Sequence, residues 1–123
     1  MASLNNVTNN DLKIYKKFLD LIAYTTNLLT KFPRSEKFAL SSDIRKNLYT
    51  GLGHLIRAIK LYNKHDKLEQ LFDFDVTLSV LKVQIRLANQ RHYLTQKNYT
   101  VWSENVTEIC NMLGGWISSC QRR

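Results

Sequence analysis

The stretch SVLKVQIRLANQRHY, residues 79–93, sets Lys82 and Arg86 four apart inside the most apolar part of the chain. At about 3.6 residues per turn, that spacing stacks both cations on one helix face. Burying two unpaired cations side by side costs several kcal/mol, so both must reach water, a carboxylate or a bound anion. Asp75 is eleven positions from Arg86, too far along a helix rising about 1.5 Å per residue to pair with it. The chemistry on offer is therefore recognition of phosphate or another anion.

Bond-making chemistry is thinly represented. His54, His65 and His92 share no metal-ligand spacing, no Gly-rich loop is present to cradle phosphate, and no serine or cysteine sits in a nucleophile motif. Cys110 and Cys120 lack a CxxC or Cys/His pattern and read as buried thiols. Asp73 and Asp75, two apart, point to different sides of a helix and suit the positive end of its dipole better than a metal. No catalytic residue, metal or cofactor is expected, and the chain is not read as an enzyme. One alternative is a ribonuclease: Arg86 and His92 fall within the arginine-to-histidine spacing of HEPN-type enzymes, although Leu87 is apolar where those usually carry a polar residue.

The charge pattern supports a polyanionic partner. Net charge is +8 over 123 residues. Between residues 31 and 64, Lys31, Arg34, Lys37, Arg45, Lys46, Arg57, Lys60 and Lys64 face only Glu36 and Asp43, and no acid falls between Asp75 and Glu104. Arg57, Lys60 and Lys64 share one face at helical spacing, with Arg45 and Lys46 nearer the start of the same helix. Lys82, Arg86, Arg91, Arg45, Lys46, Arg57, Lys60 and Lys64 are the candidate binding residues for nucleic acid or a nucleic-acid enzyme.

The elements that must position these residues are helices. One proline, four glycines and 44 % hydrophobic residues without strand-like alternation predict an all-α chain, with residues 1–8 flexible and residues 9–123 a single antiparallel up-down four-helix bundle. Thr8 with Asp11 opens a first helix whose stripe runs Tyr15, Phe18, Ile22, Leu29 and Phe32 to Pro33. Ser35 is expected to cap a second helix reaching about Tyr62, with Ile44, Leu48, Leu55, Ile59 and Tyr62 inward. Gly51 and Gly53 fall inside it, which implies a close approach or a local weak point. Asp66 with Glu69 marks the third helix, to about Tyr93. Thr95 caps the fourth, with Tyr99, Trp102, Val106, Ile109, Leu113 and Trp116 inward.

The third helix carries more apolar surface than one bundle can use. Leu71, Phe74, Leu78, Leu81, Ile85 and Ala88 keep a core rhythm, while Phe72, Val76, Val80, Val83 and Leu87 form a second track. In so short a chain the second track predicts a homo-oligomer interface, bordered by Lys82 and Arg86. No apolar leader precedes a small-residue cleavage site and no run approaches about 20 apolar residues, so a cytoplasmic protein without membrane contact is expected. The N-x-T triplets at Asn6, Asn98 and Asn105 then carry no glycan expectation.

KFPRSEKFALSSDIRK, VLKVQIRLA and NMLGGWI, in that order, give a resemblance over roughly residues 28–119 to the accessory variability determinant (Avd) proteins of diversity-generating retroelements. A wider four-helix group, encoded in intervening sequences of bacterial large-subunit ribosomal RNA genes, shares the FPRSEKFAL style of opening and supplies a second alternative, an RNA-binding protein. The resemblance implies a protomer of a pentameric, barrel-like ring with a basic surface. It implies binding to the retroelement reverse transcriptase and to template-repeat RNA and cDNA, in support of error-prone cDNA synthesis during mutagenic retrohoming. The family's basic positions in the third helix fall on Lys82 and Arg86. Lys82 stands where arginine often occurs, which replaces a bidentate fork with a point charge.

Overall fold

The structure, a computed structural model, describes the backbone of residues 9–123 and side chains from Asp11 onward. The expected flexible start, residues 1–8, and the Thr8 cap lie outside the described residues. Four helices follow: α1 (Asn9–Leu29), α2 (Leu40–Lys60), α3 (Lys64–Gln90) and α4 (Gln96–Arg122), with a 3-10 turn at Arg34–Glu36 before α2. Among the described residues there is no strand, and no helix is long and apolar enough to cross a membrane.

Each helix packs on its neighbour in sequence, and α4 closes back on α1. The run is antiparallel, because Tyr24 near the end of α1 reaches the Asn98 carbonyl near the start of α4, while Lys64 at the start of α3 meets the last carbonyls of α4. In α1 the inward residues are Ile14, Phe18, Leu21, Thr25 and Leu28, at alternating steps of four and three. Tyr15 and Ile22, expected on the stripe, flank it half-buried, while Leu29 and Phe32 are buried.

Ser35 does not cap α2. The helix starts at Leu40 behind Ala39, which offers no side-chain cap. A long-range contact decides this: Glu36 is buried and its carboxylate accepts a hydrogen bond from Arg91 Nη1 at 2.8 Å, which holds the segment in a tight turn. Tyr62 is also off the inner stripe, because α2 ends at Lys60 and the chain extends through Leu61, leaving Tyr62 exposed. Ile44, Leu48 and Leu55 are buried as expected. The burial of Lys67 pushes its ammonium below the ordinary lysine range. Its Nζ donates to the Ala58 carbonyl in the last turn of α2 and lies 5.7 Å from the Trp116 ring centroid, so it serves a carbonyl that the helix itself leaves without a partner.

Asn63, not Asp66, caps α3; its side chain accepts from the Asp66 amide at 3.1 Å. The helix ends at Gln90 rather than Tyr93, because His92 adopts φ 62°. The Tyr93 amide donates to the Ala88 carbonyl and the His92 amide to the Asn89 carbonyl, both at 3.0 Å, the paired bonds of a Schellman cap with histidine where glycine is usual. Thr95 caps α4 as expected, accepting from the Asn98 amide at 3.0 Å.

The core joins all four helices. Phe18 of α1 meets Phe74 of α3 edge to face with centroids 4.9 Å apart, and buried Trp102 of α4 donates its indole N–H to Thr25 Oγ1 at 2.9 Å. A buried indole that kept no partner would cost the desolvation of its N–H, so Thr25 completes the site. Between α2 and α3 the packing is partly polar. Asn47 donates to the Thr77 carbonyl at 3.0 Å and to Gln84 Oε1 at 3.3 Å, and His54 Nδ1 donates to Gln70 Oε1 at 2.8 Å. Gly51 permits this closeness: a Cβ there would stand 2.4 Å from Thr77 Cγ2. Of the two expectations for the mid-helix glycines, close approach is the one met at Gly51.

Candidate nucleic-acid and partner interface

The core rhythm of α3 fixes where its cations go. Leu78, Leu81 and Ile85 point inward, so Lys82 and Arg86, each one residue further round, fall on the side toward α4. With Ile85, Tyr99, Ser103 and Thr107 they line a shallow groove between the two helices. Burial pushes the Cys110 thiol above its ordinary range, and the neighbouring Lys82 ammonium opposes that rise. Both cations are exposed, as the cost of burying them requires.

Beyond them lies the second apolar track. Phe72, Val76, Val80 and Val83 are exposed, Val76 at 60 %, and Leu87 is half-buried. Steps of four and three put them on one outward side, which Lys82 and Arg86 border as the sequence suggested.

The remaining candidate cations separate into different settings. Arg91 pairs with Glu36, so its charge is committed to holding the turn before α2. Lys64 Nζ donates to the backbone carbonyls of Gln121 at 2.9 Å and Arg123 at 2.7 Å, tying down the end of α4. Arg57 and Lys60 are exposed in the last turn of α2, where the helix dipole favours cations. Arg45 and Lys46 line a groove with Lys37, Phe38 and Tyr49, residues that cation spacing alone did not single out. Phe38 and Tyr49 were legible only as large apolar residues with no place in the expected inner stripe.

His92 is exposed beyond the end of α3 and is not among the residues lining the Arg86 groove. Its left-handed backbone gives it a part in ending the helix. Among the described residues, His65, Asp66 and Glu69 bring potential metal-ligating atoms within 4.8 Å of one another, all exposed at the start of α3. Carboxylates there also satisfy the positive helix end.

These features define a small four-helix bundle whose candidate cations lie on its outer faces and in shallow open grooves. The same fold occurs in a Bacteroides thetaiotaomicron protein of unknown function from the S23 ribosomal protein family, with a TM-score of 0.81 and 19 % identity over 89 % of this chain and 98 % of that one. No curated protein matches the chain. Residues 12–120 match the bAvd-like family, and the chain belongs to it.

Proposed function

We propose that the chain is a non-catalytic accessory protein of a diversity-generating retroelement. It joins the element's reverse transcriptase to template-repeat RNA and cDNA through its basic surface and so supports error-prone cDNA synthesis in mutagenic retrohoming. The observation that carries this reading, beside family membership, is the outward face of α3: an exposed apolar track bordered by Lys82 and Arg86. Copies of the chain bury Phe72, Val76, Val80, Val83 and Leu87 against one another in a pentameric ring, and the symmetry repeats the cation pair around it. A ring of cations raises the local potential for a phosphate backbone more than an isolated pair does.

The test is a pull-down of the cognate reverse transcriptase, with and without template RNA, by the wild type and by Lys82→Glu with Arg86→Glu. The charge reversal is expected to leave the folded oligomer intact and abolish association. Unchanged association would contradict the site. RNA affinity should also fall steeply with salt, with a log-log slope of about 0.7 to 0.9 per phosphate neutralised.

A further inference from the structure

The turn before α2 and the first turns of that helix form a surface of unusual composition. Two adjoining shallow grooves meet there, one lined by Phe32, Pro33, Arg34, Lys37 and Arg45 among others, the next by Lys37, Phe38, Arg45, Lys46 and Tyr49. Lys37 and Arg45 are shared by both, and no Asp or Glu lines either. Of the two acids in this stretch, Glu36 is buried against Arg91 and Asp43, exposed in the first turn of α2, lines neither groove. Two aromatic rings stand in this basic setting without joining the core: Phe38 is 88 % exposed and Tyr49 59 %.

Four cations alone would suit any phosphate backbone. Exposed rings among them select a ligand that offers flat, uncovered π faces together with phosphates. A duplex hides its base faces in the stack; a single strand presents them. The Lys37 ammonium stands 5.5 Å from the Phe38 ring centroid, so a cation already flanks one of the rings on which a base would stack; an acidic protein partner would match the charge but gives no comparable reason for two exposed aromatic rings.

We propose that this surface binds single-stranded nucleic acid, with bases stacking on Phe38 and Tyr49 while Arg34, Lys37, Arg45 and Lys46 hold the backbone. The α2 stripe continues the path, because Lys46, Tyr49, Gly53, Arg57 and Lys60 follow at steps of three and four. The inference rests on the nucleic-acid part of the function proposed above and adds to it a separate site and a strand state.

The experiment is fluorescence anisotropy of the full chain with labelled oligouridine and with an RNA duplex of equal length. The wild type should prefer the single strand. Phe38→Ala with Tyr49→Ala should weaken oligouridine binding about tenfold or more, since one base stacked on an aromatic side chain is worth roughly 5- to 150-fold, and should leave duplex binding and its salt slope unchanged. Phe38→Tyr with Tyr49→Phe, which keeps both rings, should bind oligouridine as the wild type does. A Phe38→Ala, Tyr49→Ala chain that binds oligouridine like the wild type overturns the site, as does wild-type preference for duplex; reverse-transcriptase capture that still depends on Lys82 and Arg86 would then leave the accessory function standing. A wild type that binds neither RNA overturns both this inference and the nucleic-acid half of that function.

Discussion

Helix α3 carries two apolar faces made of the same kinds of residue at the same spacing, yet they meet opposite fates. Leu71, Phe74, Leu78 and Leu81 on the inward face are fully buried, while Phe72, Val76, Val80 and Val83 on the outward face stand in water. Hydrophobic rhythm says that a face will be covered; it does not say by what. The inward face has a complete set of partners within the chain, including the Phe18–Phe74 edge contact. The outward face has exposed cations at its border and no element of the described chain over it, which is the ground for the assembly proposed above.

The contrast can be broken most forcefully by truncating each face in turn. Leu78→Ala should lower unfolding free energy by about 2–5 kcal/mol at every protein concentration, because it opens a cavity at a fully buried position. Val80→Asp should keep the helical circular-dichroism signal and reduce particle mass. An unfolded Val80→Asp chain would mean that the two faces form one core.

The inward face can be sharpened at its tightest point. Gly51→Ala should cost about 1–3 kcal/mol in denaturant titration, since the new Cβ would meet Thr77 Cγ2 at 2.4 Å in a buried setting. Thr77→Ser, which removes that methyl group, should recover part of the loss; independent, additive effects would deny the close α2–α3 approach.

The smallest effect is expected at the end of the helix. His92→Gly should stabilise the protein by about 1 kcal/mol, because glycine adopts the left-handed conformation of the Schellman cap without a Cβ penalty. The same substitution also bears on the ribonuclease alternative. RNA cleavage by the wild type that His92→Gly removes would reassign that residue from helix termination to catalysis.

Most of the helical plan was legible because it rests on local signals. The α3 core stripe is buried as expected, Thr95 caps α4, and Trp102, Val106, Ile109 and Leu113 line the core. Errors arose where a distant residue decides the local outcome. The Glu36–Arg91 pair joins positions far apart in sequence and turns the expected start of α2 into a 3-10 turn, so Ser35 loses its capping role. The same pair gives the exposed Arg91 a carboxylate partner that helical spacing did not announce. The cap of α3 was missed for a local reason: the turn after Leu61 places the Asn63 side chain, not that of Asp66, over the first free amides of the helix. At the site, the spacing of Lys82 and Arg86 sufficed to put them together. The company of Arg45 and Lys46 was not readable, because Arg34, Lys37 and Phe38 approach them from a turn that helix periodicity does not describe.

In the proposed assembly, copies of this chain cover the outward face of α3. The most direct test of that assembly is the solution mass by multi-angle light scattering, wild type beside Val76→Asp with Val80→Asp. A pentamer should give a wild-type mass near five times the 14.4 kDa chain, and the double variant should run as a folded single chain. A folded wild type at the mass of one chain would contradict it, leaving Lys82 and Arg86 as an isolated pair instead of a repeated basic ring.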